Sequence, residues 1–96
     1  RFLSFSARSI SRFASRFAGT GIGISIAANK VKGIRCGLCT SVEMAHLTKQ
    51  HNNANMIALG GRTTSPALAL AIVDEWLDTD FEGGRHQRRV DMLDEM

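Results

Sequence analysis

Ninety-six residues, 44% of them hydrophobic, suffice for one small domain with a modest core and exclude wholesale disorder. The net charge of +3 is concentrated at the start: Arg1, Arg8, Arg12 and Arg16 stand among seventeen residues without an acid, and removing those four from the 12 Lys and Arg leaves eight against 9 Asp and Glu, or −1 for residues 18–96. A body with that balance is not a general nucleic-acid surface, and no stretch approaches the roughly 20 apolar residues of a membrane span.

Residues 1–17 differ in composition from all that follows. At about 100° per residue the four arginines share one quarter of a helical wheel, and Phe2, Leu3, Ile10, Phe13, Ala14 and Phe17 cover the opposite side. With five serines, the segment has the Arg/Ser-rich amphipathic pattern of a mitochondrial transit peptide. It equally suits a stretch foreign to the fold, left by mis-splicing, a frameshift or a wrong gene start. Neither reading makes it part of a core. The chain is therefore expected to be cytoplasmic, or mitochondrial if the segment is a genuine leader.

From Gly19 onward the elements alternate. GTGIGISIAANK reads as a tight glycine loop entering a short helix that ends near Gly33. IRCGLC (34–39) is a short apolar strand, in which Cys36 and Cys39 point to opposite faces. Thr40 is the expected cap of the next helix, with Glu43 completing a capping box, and this helix runs to about Gln50. The polar run His51-Asn52-Asn53-Ala54-Asn55 follows, then a second strand, MIALG (56–60). Ser65-Pro66 starts another helix as N-cap and first-turn proline. Leu68, Ile72 and Trp76, flanked by Leu70, Val73 and Leu77, are expected to form its broad buried face. Asp78 to Gly84 is a loop. A last helix from Arg85 to about Glu95 places Arg85 and Arg89 on one face.

Strand, helix, strand and helix with such crossovers predict an α/β fold with a parallel sheet covered by helices. Two strands cannot bury both faces of their covering helices, so an N-terminally truncated domain is expected.

Gly19, Gly21 and Gly23 let backbone amides crowd toward one point at a helix start, where free N–H groups and the helix dipole attract an anion. A dinucleotide fingerprint fits less well, because its third glycine is misplaced and the preceding segment is a poor strand. The Cys36/Cys39 pair lacks two further ligands at zinc spacing, and His46 and His51 do not supply them. Buried reduced thiols are the expectation. Arg85 and Arg89, with Arg88 between them, suit phosphate through their guanidinium forks.

The ordered set GTGIGISIAANK, KQHNNAN, a strand ending in GGR, and FEGGRHQRR resembles the C-terminal portion of the type B ribose-5-phosphate isomerase family, which includes galactose-6-phosphate and allose-6-phosphate isomerases. It spans Gly19 to Met96. The resemblance implies a three-layer αβα, Rossmann-like parallel sheet. The implied activity is that of an intramolecular oxidoreductase, an aldose–ketose isomerase of the pentose phosphate pathway acting through a cis-enediolate. It further implies that Gly19, Thr20, Gly21, Ile22 and Gly23 form the anion hole, with the Thr20 hydroxyl contributing to catalysis. His51 matches the acid/base histidine that assists ring opening, Asn52 a substrate contact, and Arg62, Arg85 and Arg89 the phosphate-binding arginines. No metal or cofactor is implied. The partners implied are a phosphorylated sugar and a second copy of the chain, since such sites form between subunits of a homodimer or a dimer of dimers.

Two departures stand out. The family's base is a cysteine just before the first glycine or a glutamate at the helix start, and here those positions hold Ala18 and Ile24. Its Asp-His pair at the end of the first strand is also absent. An impaired isomerase is expected, the alternative being a non-catalytic sugar-phosphate-binding remnant.

Overall fold

The structure, a computed structural model, describes residues 19–96. The arginine-rich segment 1–17 and Ala18 lie outside the described residues. The elements in order are α1 (Ile22–Asn29), β1 (Cys36–Leu38), α2 (Val42–Asn52), β2 (Met56–Ala58), α3 (Pro66–Asp78), a 3-10 turn (Gly84–His86) and α4 (Gln87–Asp94). The two strands pair in parallel, with Cys36 opposite Met56 and Leu38 opposite Ala58.

Strand alternation sorts the side chains into layers. A Cβ at Gly37 would strike Thr48 of α2, whereas Leu38 reaches Gly21 at the start of α1. Cys39, Ile57 and Leu59 pack with Ala45 and Ile72 from α2 and α3. The sheet therefore lies between α1 on one face and α2 with α3 on the other, as expected for an αβα arrangement. Cys36 and Cys39 fall on opposite faces, as period-two geometry demands. Trp76 closes the core edge, its indole N–H donating to the Ala54 carbonyl at 3.1 Å beneath the Lys49 ammonium, 5.0 Å from the ring centroid.

Among the described residues one long edge of β1 pairs with no strand, and Asn29 covers part of it. Its side-chain amide accepts from the Cys36 N–H at 2.7 Å and donates to the Cys36 carbonyl at 3.0 Å, replacing a strand's two bonds. Arg35 ties down the start of the strand, donating to the Asn53 carbonyl and to both Asp94 carboxylate oxygens at 2.8 and 3.1 Å.

Several local expectations need correction. The cap of α2 is Ser41, whose hydroxyl accepts from the Met44 N–H, not Thr40. Cys39 is still bonded to the Ala58 carbonyl, so Thr40 is spent on leaving the sheet. Glu43 then sits one position too early for a capping box. The helix runs past Gln50 to Asn52, because the chain reverses only at Asn53, with φ of 47°. In α3, Ile72 is fully buried, but Leu70 and Leu77 are 67% and 63% exposed. Each lies about 140–160° round the wheel from Ile72, so the buried face is narrower than expected. The last helix is two pieces, with Arg85 in the 3-10 turn and Arg89 in α4.

Candidate functional site

The glycine loop sits at the carboxyl ends of the strands, the usual ligand-binding edge of an open α/β sheet. Gly21 has φ of 86°, and an added Cβ would lie 2.8 Å from Leu38 Cδ1 and 3.0 Å from the Leu59 carbonyl carbon. A Cβ at Gly60 would come within 2.6 Å of the Thr20 carbonyl. Glycine is therefore needed on both sides to let two loops meet backbone to backbone. Arg62 completes the junction: its N–H donates to the Gly19 carbonyl at 2.8 Å, and its guanidinium lies 3.2 Å from where a Gly19 Cβ would stand.

Beyond this junction α1 begins, and its first-turn amides, those of Ile22, Gly23 and Ile24, have no carbonyl four residues back within the helix. The Thr20 hydroxyl leans on the first of them, 3.4 Å from Ile22 N. The arrangement offers N–H groups, a hydroxyl and a guanidinium to one anion. Gly19, Thr20, Gly21, Ile22 and Gly23 are contiguous here, and Arg62, expected beside Arg85 and Arg89, stands instead against Gly19. Ile24, at one expected base position, is 94% buried and has no proton-accepting atom.

His51 and Asn52 form the last turn of α2. In a parallel β-α-β unit that turn lies at the amino ends of the strands, so the structure does not bring them to the glycine loop of the same chain. Around His51 it builds a second cluster. The Glu82 N–H donates to the Gln50 carbonyl at 3.0 Å, fastening the α3–α4 loop to the end of α2. Gly83 and Gly84 then take φ of 70° and 54°, where a side chain has open space but the wrong backbone. This double reversal sends His86 back against His51. The two rings stack with centroids 4.3 Å apart and planes 16° from parallel. Arg85 and Arg89 follow on the exposed side.

His86 and Glu82 were missed by the sequence reading, although an acid and a histidine four apart around Gly-Gly are a visible signal. The side chain of His86 is only 7% exposed, and its Nε2 lies 3.2 Å from Glu82 Oε1. The angle is poor for a hydrogen bond, and Nε2 has no hydrogen-bond partner among the described residues. His51, Glu82 and His86 offer ligand atoms within 4.8 Å of one another. Their rings argue against a metal, because lone pairs lie in the ring planes, and planes so nearly parallel meet on the order of 10 Å away, far beyond a bond of about 2 Å.

Burial raises both thiols above their usual range, Cys36 to about 11 with a further push from Cys39, so neither is poised as a base. A cavity of about 480 Å³ opens elsewhere, beside the amino end of β1, lined by Asn29, Arg35, Thr48, Asn52 and Asp94 among others. It does not reach the glycine loop. Among the described residues no helix is long and apolar enough to cross a membrane.

Comparison with known proteins agrees with this architecture. The sequence pattern of the family described as Ribose/Galactose Isomerase matches residues 8–93. Ribose-5-phosphate isomerase B of Escherichia coli is 52% identical over 75 residues, which cover 78% of this chain and 50% of the relative. The enzyme of the same name from Mycolicibacterium paratuberculosis is 54% identical over 78 residues, covering 80% and 49%. The chain thus spans about half the length of these curated relatives. Among solved structures, a ribose 5-phosphate isomerase from Thermotoga maritima superposes with a TM-score of 0.82 at 41% identity, over 100% of this chain and 71% of that one. Ribose-5-phosphate isomerase B from Giardia lamblia gives 0.69 at 62% identity, over 72% and 52%.

Proposed function

Since the chain belongs to the ribose/galactose isomerase family, we propose that it carries part of a sugar-phosphate aldose–ketose isomerase site, with ribose 5-phosphate and ribulose 5-phosphate as the favoured pair. The supporting observation is the division of the site between two ends of the sheet. One end presents the anion-holding loop with Arg62; the other presents His51, Asn52, Arg85 and Arg89. Neither is a site alone, and two copies related by a twofold axis would join the loop of one to the histidine and arginines of the other. A homodimer is accordingly part of the proposal.

Each group then has a task. The arginines hold the phosphate, and His51 with Asn52 faces the sugar ring. His51 gives a proton to the ring oxygen while solvent water takes the proton of the C1 hydroxyl, so the ring C–O bond breaks and an open-chain carbonyl forms. The loop amides and Thr20 then hold the carbonyl oxygen as negative charge develops. Isomerisation further needs a base at C2, and Ala18 and the buried Ile24 stand where the family pattern has one. A general base typically contributes about 10²–10⁴ in rate, so turnover is weak or absent while binding and ring opening persist. That observation favours the second reading, a sugar-phosphate-binding remnant.

Calorimetry with ribulose 5-phosphate and sedimentation of the chain test the proposal together. A dimer that binds the sugar, and loses binding when Arg85→Ala and Arg89→Ala are combined, is expected. Binding that survives the double substitution would contradict the phosphate clamp. A chain that stays monomeric at millimolar concentration contradicts the shared site. A direct isomerase assay separates the two readings, measurable turnover favouring the enzyme and binding without turnover the remnant.

A further inference from the structure

From the packing behind His51 we infer that His86 is a positioning residue that fixes the plane of the His51 ring for sugar ring opening. The inference rests on the ring-opening reading of His51 given above.

An imidazole in the last turn of a helix can rotate about both side-chain bonds, and a proton donor aimed at a ring oxygen must not. His51 is half-buried in the last turn of α2, where helix packing alone leaves its orientation open. His86 supplies the missing constraint. Its ring lies face to face with that of His51, 4.3 Å between centroids and 16° from parallel, which holds the His51 ring in one plane and leaves its edge, with both nitrogens, free.

His86 is itself held by burial and by its backbone, with Glu82 beside its ring. It is nine-tenths buried, its backbone N–H donates to the Gly83 carbonyl at 3.0 Å, and Glu82 stands 3.2 Å from its Nε2. Glu82 is in turn tied through its own N–H to Gln50, the residue before His51. The loop thus grips the helix end at the backbone and at the ring. The buried Nε2 atom, without a hydrogen bond among the described residues, has Glu82 Oε1 as its nearest acidic neighbour at 3.2 Å.

The test separates ring position from chemistry. Stacking shifts the carbon-bound ring protons of His51 upfield in the proton NMR spectrum, and this reads position with no substrate present. Ring opening interconverts the α and β furanose forms of ribose 5-phosphate, so exchange between their anomeric signals reports His51 even if no isomerisation follows. In the full chain, His86→Ala should abolish the upfield shift and slow anomer exchange by about tenfold or more. His86→Phe, which keeps an aromatic face, should retain both to within a few-fold. Glu82→Gln, at an exposed site that leaves the fold intact, should reduce exchange with little change in sugar-phosphate affinity, and keeps the test open should His86→Ala not fold. His51 ring signals unmoved by His86→Ala overturn the positioning role. A wild-type chain with the expected ring shifts but no catalysed exchange overturns instead the ring-opening reading beneath it.

Discussion

At the scale of single residues, the chemistry turns on which atoms can hold or release a proton. Cys36 and Cys39 are the obvious nucleophiles in the sequence, yet burial pushes both thiols up, Cys36 to about 11. Raised values mean little thiolate at neutral pH. Alkylation by iodoacetamide at pH 7.5 should therefore be slow in the folded chain and fast in denaturant, with mass spectrometry counting the modified thiols. Glu75 shows the opposite shift. The His46 ring nitrogen lies 2.8 Å from its carboxylate and the Thr79 hydroxyl 3.2 Å, and these contacts hold it below the ordinary value of 4.5. A lowered folded value stabilises above the unfolded value and fades as pH falls through the folded one. Glu75→Gln should lower neutral stability slightly, because an exposed pair contributes little, and should remove the matching small fall in stability below about pH 4.5. A carbon-detected titration of the Glu75 carboxyl would show its midpoint directly.

Elements begin and end here for local reasons that can be broken one at a time. Ser65 caps α3 by accepting from the Leu68 N–H at 3.2 Å, ahead of Pro66, and Ser65→Ala should cost about 1 kcal/mol in urea unfolding. The glycine loop is less forgiving. Gly21→Ala combines a left-handed φ with a Cβ 2.8 Å from Leu38, and a loss of about 2 kcal/mol or more is expected. The reverse case is Gly84, where φ is 54° but space is open, so Gly84→Asn should cost far less than Gly84→Val. The Ser65 cap was legible in the sequence because its partner, Leu68, lies three residues away. Gly21 was legible as part of a glycine run at a helix start, although the contacts that require it come from Leu38 and Leu59. The misplaced cap of α2 was not. Thr40 and Ser41 are equivalent by pattern, and the choice was made by the Cys39 bond to Ala58, nineteen residues away in sequence.

Across the whole molecule, a thin core and a divided site go together. Ile72 and Cys39 are the largest fully buried side chains, and Ile72→Ala should destabilise by about 2–5 kcal/mol, enough to unfold much of a small domain. Apolar surface remains outside, with Ile22 and Ile26 one turn apart on the outer face of α1 and more than half exposed. This face adjoins the glycine loop, where the proposed second copy must approach. Ile26→Glu should shift sedimentation from dimer toward monomer and weaken ribulose 5-phosphate binding together, with helical content retained.

By itself the sequence determined the order of elements, the parallel pairing, the opposite facing of Cys36 and Cys39 and the glycine loop at a helix start. All of these follow from periodicity, turn chemistry and strand alternation, which act over a few residues. The sequence motifs also picked out His51, Arg62, Arg85 and Arg89. Only the tertiary structure decided how these residues group. Parallel strands force α2 to end at the edge opposite the loop, which separates His51 from Gly21 and leaves Arg62 with the glycines. The two reversals at Gly83 and Gly84 fold His86 onto His51 across thirty-five positions, a contact set by the path of a loop and carried by no local pattern.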